Sequence, residues 1–383
     1  MIAECIGVLS LAIWVYLVFA RGGFWRMNVG PVPKAHESVA RKVAVIVPAR
    51  NEAETVGAAI ASLLRQDYGG ELRVFLVDDH SSDGTGEVAH QAAQETGRRE
   101  ALEIVQANSL PDGWTGKVWA LSEGLRAAEW YAADFYWFTD ADIVHEPENL
   151  SSLLARGEAG GLVLVSQMVK LRCRSLAEKL LIPAFVFFFF KLYPPNWVNR
   201  PEKNTAAAAG GNMLIRRAAL ERIGGISAIR GELIDDCALA RALKPAGPIW
   251  LEPTNQATSL REYGSFSEIG HMIARSAFTQ LDHSVFLLVA AILGMSFTYV
   301  VPVLILGLGL FPAVLGAAAW VLMFVSYRPI LRFYGVSSLW GLALPFTATF
   351  YLGATVLSAI QYWSGRGGRW KGRVQDARID GAL

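Results

Sequence analysis

Apolar positions along the chain fall into three regimes, and each dictates a different kind of element. From Ile6 to Ala20 they form an unbroken run which, together with Met1 to Cys5, reaches the roughly 20 residues a helix needs to cross a bilayer. From Arg41 to about Tyr263 they become short β-branched runs separated by amphipathic stretches. That spacing predicts strands at Val43–Val47, Leu72–Val77 and Phe135–Thr139, and helices at Val56–Arg65, Glu87–Thr96 and Val118–Trp130. Strands alternating with helices in this way imply an α/β domain with a mostly parallel sheet. From Ser284 to Tyr327 no charged residue occurs, enough for two spans with Gly307, Gly309 and Pro312 at the turn between them, and Leu339–Trp363 supplies a third. A soluble core helix would show a polar face, which these runs lack. Leu180–Phe190 is apolar but too short to span, and reads equally as an interfacial helix over 176–193 or as a core helix.

Composition agrees with this division. Hydrophobic residues make up 53% and charged residues 18%, an average too apolar for a soluble enzyme and too charged for a pure membrane bundle. Glu4 precedes the first run while Arg21, Arg26 and Lys34 follow it, which argues against a cleaved signal peptide and places the following chain in the cytoplasm. Three spans entered from the cytoplasm end outside, yet Arg366, Arg369, Lys371 and Arg373 form a basic tail suited to the inside. Either one segment is re-entrant or the tail is an exception. The predicted organisation is a transmembrane helix at 1–22, a cytoplasmic domain at 41–280, further transmembrane helices at 284–363 and a basic tail at 364–383 of a multi-pass inner-membrane protein. A net charge of +1 gives no phosphate-tracking surface, so nucleic acid is not an expected partner. Cys5, Cys173 and Cys237 are too widely spaced for a disulfide framework and fit a reducing compartment.

In an open α/β sheet ligands bind beyond the carboxyl ends of the strands, so the residues after Val47, Val77 and Thr139 carry the interest. The second strand runs into Asp78 and Asp79, followed by a turn and helix cap over Ser82–Thr85. Adjacent acids at a sheet edge repel, and a ligand offering donors, such as a nucleobase imide and a ribose, explains them. After Thr139 come Asp140, Ala141 and Asp142, a spacing that suits Mg²⁺ or Mn²⁺ shared with substrate phosphates. Asp235 and Asp236 precede a helix at Cys237–Leu243; they are either dipole-stabilising acids or, for Asp236, a general base that takes a proton from an acceptor hydroxyl. The six histidines show no zinc spacing. Phosphate-cradling GxxxxGK[ST] and GxGxxG loops and a GxSxG elbow are also missing, which removes the usual support for kinase, dehydrogenase and hydrolase readings.

Six segments in order, VPARNEAETV (47–56), VDDHSSDGT (77–85), GKVWAL (116–121), TDAD (139–142), GGNMLIRR (210–217) and IDDCAL (234–239), resemble the inverting family-2 glycosyltransferases of the GT-A fold. Among these the ceramide-glucosyltransferase-like and carotenoid-glycosylating branches look closest, and the spans with the GRWKGR tail at 368–373 most resemble bacterial hopene-associated glycosyltransferases. The resemblance implies that Pro48, Asn51 and Glu52 line a nucleotide-sugar pocket, Asp79 reads the base, Lys117 neutralises phosphate, Asp140 and Asp142 hold the metal, and Asp236 is the base. Asp78 and Asp140 join the donor site. Gly211, Asn212, Asp235 and Arg275 are carried over as acceptor or diphosphate contacts, with Asp235 standing where many relatives have Glu. Processive synthases of the family carry QxxRW, whereas this chain has Met272, Ile273, Ala274, Arg275 and Ser276. That departure favours a single transfer to a membrane lipid hydroxyl over a processive polysaccharide synthase, and the retained metal and base candidates disfavour a non-catalytic scaffold.

Overall fold

The computed structural model describes residues 1–30, 40–367, 369–370 and 373–374. Lys34 and, within the basic tail, Gly368, Lys371, Gly372 and residues 375–383 lie outside the described residues. The chain forms two compact units, one comprising Met1–Met27, Cys173–Asn196 and Glu262–Gly368, the other Asn28–Arg172, Trp197–Arg261 and Arg369–Leu383.

The main sheet of the second unit has eight strands among the described residues: β1 (Lys42–Ala49), β2 (Glu71–Asp78), β3 (Leu102–Gln106), β4 (Phe135–Thr139), β5 (Ile143–His145), β6 (Leu164–Lys170), β7 (Asn212–Arg216) and β8 (Ile249–Ser259). Their order is β3-β2-β1-β4-β7-β6-β8-β5. Neighbours from β3 through β4 are parallel, as are β6 and β8, whereas β7 runs against β4 and β6, and β5 against β8. The sheet is therefore mixed but mostly parallel, as the alternation predicted. Seven of the eight β1 residues are buried, which is why that strand reads as a continuous apolar run. The chain leaves β1 towards β2 and β3, then returns to the other side of β1 as β4. That reversal opens a crevice at the carboxyl ends of β1 and β4, where such sheets bind ligands. The helix Gly116–Ala127 lies close on β1 and β2 because Gly124 has no side chain: a Cβ there would sit 2.5 Å from Ile46 and 2.8 Å from Val77.

In the first unit, four helices are long and apolar enough to cross a membrane: Ile2–Phe19, Val285–Gly307, Leu310–Phe333 and Ser338–Trp363. Their limits follow the apolar runs, except that the third helix continues past Tyr327 through Arg328 and Arg332 to Phe333. Val285–Gly307 is broken by a wide, π-type turn over Ser296–Val300. Pro302 has no N–H to give the carbonyl four residues back, that of Thr298. Trp14 Nε1 donates to that carbonyl at 2.6 Å, and Ser10 Oγ donates to the carbonyl of Phe297 at 2.8 Å. Side chains of the first helix thus satisfy backbone groups in the second, a requirement wherever water is absent.

Helix Leu176–Leu192 starts at a capping box in which Ser175 and Glu178 satisfy each other's backbone. It is buried on nearly all sides, with Phe187 edge-on to Phe24 and Tyr327, and Phe188 against Tyr299 and Tyr351. An interfacial helix keeps one polar face in water; this one has none and forms the core of its unit. The sequence-based boundary of 41–280 therefore differs from the structure, which places Cys173–Asn196 and the chain from Glu262 onwards with the apolar helices.

Candidate active site

Three strand ends supply the acids. Asp78 closes β2 and is buried, its Oδ1 accepting from the backbone N–H of Ser81 and its Oδ2 from Gln106 Nε2. Asp79 is also buried, and its Oδ2 lies 3.5 Å from Arg50 Nη1. Asn51, in the left-handed region at φ 51°, accepts from the N–H of Ser82, while the N–H groups of Asn51, Glu52 and Ala53 donate to Ser81, Thr85 and Asp83. The loops after β1 and β2 are therefore stitched together into one wall of the crevice. Ser82–Thr85 serves that stitching and caps the next helix, while Pro48 is buried within β1 beside Val77.

A second cluster forms around Lys117. The N–H of Thr115 donates to the carbonyl of Arg230 and its hydroxyl to that of Glu232, drawing the start of helix Gly116–Ala127 against the segment before helix Asp235–Leu243. As a result Lys117 Nζ lies 2.9 Å from Asp140 Oδ1 and 3.5 Å from Asp235 Oδ2. Burial alone would strip the lysine of its proton; Asp140 and Asp235 outweigh it and hold the ammonium well above the ordinary lysine range. Asp236 accepts from the N–H of Gly210 at 2.9 Å and from that of Cys237 at 2.7 Å. Burial and the neighbouring Asp235 push its carboxyl up to about 6, against the pull of Lys117 and of the two N–H groups. Gly210 leaves room for this approach, since a Cβ would stand 3.2 Å from Lys117 Nζ and 3.4 Å from Asp236 Oδ2 and would press on both side chains.

Asp142 faces another cation. Its Oδ2 accepts from Ser259 Oγ at 2.9 Å and from Arg261 Nε at 3.3 Å, while Arg261 Nη2 reaches Glu52 Oε1 at 2.7 Å. Pairing of β5 with β8, which sets Ile143 opposite Ser259, brings these residues beside the end of β4. Neither Ser259 nor Arg261 announces itself in the sequence, because their partners are more than a hundred residues away.

The carried-over set thus divides. Lys117, Asp140, Asp235 and Asp236 form one cluster, and Glu52 and Asp142 meet through Arg261. Asn212 lies beneath the crevice: it is fully buried, its Oδ1 accepts from Trp137 Nε1 at 2.7 Å and its Nδ2 donates to Gln167 Oε1 at 2.9 Å. Both polar groups of its side chain are thus engaged inside the sheet. Gly211 gives its carbonyl to Thr139 Oγ and packs on Val169. His145, which burial pushes down to about 3 and so keeps neutral, bridges Thr139 and Asn149 in the same layer. Arg275 follows helix Phe266–Ala274 in the other unit.

Asp140 and Asp142 each already hold a cationic side chain, and hard carboxylate oxygens are the donors Mg²⁺ and Mn²⁺ accept, so the pair fits a divalent metal. Among the described residues no group of three or more His, Cys, Asp or Glu side chains stands ready to hold a metal. The remaining coordination would come from substrate phosphate oxygens, the habit of these ions.

Residues 44–224 match the model for glycosyl transferase family 2. Five of the six segments fall inside this match, with every candidate acid up to Asp142 and with Lys117 and Gly210, whereas IDDCAL at 234–239, which holds Asp235 and Asp236, lies beyond it. The chain is 24% identical over 235 residues to a probable glycosyltransferase, YdaM, of Bacillus subtilis, covering 56% of this chain and 51% of that protein. It is 32% identical over 129 residues to an undecaprenyl-phosphate mannosyltransferase of Micrococcus luteus, 33% of this chain and 49% of the relative. The chain thus spans about half the length of these curated relatives. Among solved structures, the mannosyltransferase PcManGT of Pyrobaculum calidifontis, in complex with GDP-Man and Mn²⁺, shares the fold at a TM-score of 0.61 and 17% identity, over 94% of this chain and 99% of that one.

Proposed function

We propose that the chain is a metal-dependent, inverting glycosyltransferase that moves a sugar from a nucleotide-sugar donor to a hydroxyl of a membrane lipid. The observation that carries this reading is the cluster in which Lys117 sits between Asp140 and Asp235 with Asp236 beside it. Transfer by displacement needs charge to receive the departing diphosphate and one base to deprotonate the acceptor, and this cluster offers both. Asp78 and Asp79 provide acceptors for the nucleoside. Lys117 draws the phosphates. Asp236, anchored by two backbone N–H groups, takes the acceptor proton as the new carbon–oxygen bond forms and the bond to the diphosphate breaks on the opposite face. Attack opposite the leaving group inverts the anomeric centre, so no second carboxylate of the retaining type is required. A divalent cation at Asp140 and Asp142 would supply further neutralisation of the leaving group. A carboxyl near 6 is mostly ionised at neutral pH yet basic enough to accept a proton.

A lipid acceptor explains why one chain carries both this cluster and four membrane-length helices. The Micrococcus luteus relative bears a lipid phosphate in its name, and PcManGT was solved with Mn²⁺ and a nucleotide sugar; both support the reading. The hydroxyl acceptor and a place in hopanoid-related lipid metabolism rest on the motif resemblance, and the cytoplasmic facing of the domain rests on Arg21 and Arg26. The test is transfer of radiolabelled sugar from a panel of UDP- and GDP-sugars into membranes containing the protein, with and without Mn²⁺ or Mg²⁺. Metal-dependent label in the lipid extract is expected. Label confined to an insoluble polymer would favour a processive synthase, and nucleotide binding without label a scaffold.

A further inference from the structure

Arg261 divides its guanidinium between two acids on different loops, Asp142 through Nε and Glu52 through Nη2. Its own N–H donates to Ser259 Oγ, and that hydroxyl donates to the same Asp142 oxygen the guanidinium binds. The arrangement is over-determined for a surface ion pair: the arginine side chain is 36% exposed, but Glu52 and Asp142 are only 12% and 10% exposed. Around the crevice, Lys117 sits on Asp140 and Asp235, while Arg261 sits on Glu52 and Asp142. Lys117 is held by Asp140 and Asp235, so Asp142 is left to Arg261. A divalent ion at Asp142 would compete with this guanidinium for Oδ2, or meet its positive charge from Oδ1.

We infer that Arg261 is a placeholder cation that occupies Asp142 and Glu52 until a nucleotide–metal complex arrives, making metal binding depend on nucleotide. The inference rests on the assignment of Asp140 and Asp142 to the metal. Asp142 and Glu52 share one guanidinium in a partly desolvated crevice, where carboxylates left without a cation are costly. Arg261 supplies that charge without the metal and lowers the affinity of the free ion. A nucleoside diphosphate removes the competition, because its oxygens match the planar fork of a guanidinium at least as well as one carboxylate oxygen does. The metal and the nucleotide would therefore strengthen each other's binding by the same factor.

The experiment measures Mn²⁺ binding to the full chain in detergent, by paramagnetic resonance of free Mn²⁺, with and without UDP or GDP, for wild type and Arg261→Gln. Expected is Mn²⁺ binding to Arg261→Gln without nucleotide at least about fivefold tighter than wild type, with the enhancement by nucleotide reduced by a similar factor, the range of ordinary coupling between sites. A thermal melt adds a readout independent of affinity: Arg261→Gln should melt below wild type in EDTA, and Mn²⁺ should restore most of the difference. Equal or weaker Mn²⁺ affinity in Arg261→Gln, or a melting deficit that Mn²⁺ leaves untouched, overturns the placeholder. If wild type binds no Mn²⁺ even with nucleotide, the metal assignment itself fails.

Discussion

At the scale of single residues, the acid and base chemistry turns on three side chains within reach of one another. Asp236 is held near 6 by burial and Asp235, against Lys117. In the proposed mechanism Asp236 must be ionised to accept the proton, so kcat/KM should fall as pH falls through about 6, and Asp236→Asn should lower kcat by about 10²–10⁴-fold with the melting temperature retained. Asp235→Asn removes a negative neighbour from Asp236 and from Lys117. Loss of the charge beside Asp236 favours its carboxylate, so the acid limb of the pH profile should move to lower pH; a limb that stays in place would show that Asp235 does not act on Asp236. These acids were legible as candidates because they follow strands or open a helix. Their mutual contacts were not, and Ser259 and Arg261 carried no local signal at all.

The elements that present these residues depend on close approach. Helix Gly116–Ala127 can bring Lys117 to Asp140 because Gly124 lets it settle on Ile46 and Val77. Gly124→Ala should overpack that contact and cost about 1–3 kcal/mol, read as a lower midpoint in chemical denaturation together with reduced transfer. Beneath β4 the buried chain Trp137–Asn212–Gln167 replaces water with fixed partners. Asn212→Ala would leave Trp137 Nε1 and Gln167 Oε1 unmet, at about 1–3 kcal/mol for each stranded group; activity per folded molecule should change far less than activity after removal of Asp236. Three strands and most helices were readable from their apolar spacing. Strands β3 and β5–β8 were not, since they are short or pair with distant segments, and a residue such as Asn212 looks like a site residue until its partners across the sheet are known. The start of helix Thr85–Glu95 lies two residues before the expected Glu87, because Gly84 at φ 85° turns the chain early.

For the whole molecule, the apolar unit is held by polar bonds where its helices are broken. Trp14→Phe keeps the ring but removes the donor to the Thr298 carbonyl, and should lower the melting temperature in detergent by an amount matching about 1–3 kcal/mol; an unchanged melt would mean that the carbonyl finds another donor. If the domain faces the cytoplasm, protease added to spheroplasts should spare residues 41–261, whereas the same protease should degrade them in inverted vesicles. The sequence by itself determined where the apolar helices lie, that an α/β sheet lies between them, and which acids stand at its carboxyl edge. Those properties follow from the local spacing of apolar residues and from one-residue alternation, which a chain carries without reference to its fold. Only the tertiary structure decided that Leu176–Leu192 is a buried helix, that Asn212 is engaged inside the sheet while Asp236 and Lys117 come together, and that Arg261 pairs with Asp142. Each of these depends on contacts between segments far apart in the chain, where burial and neighbouring charge, not residue type, set what a side chain does.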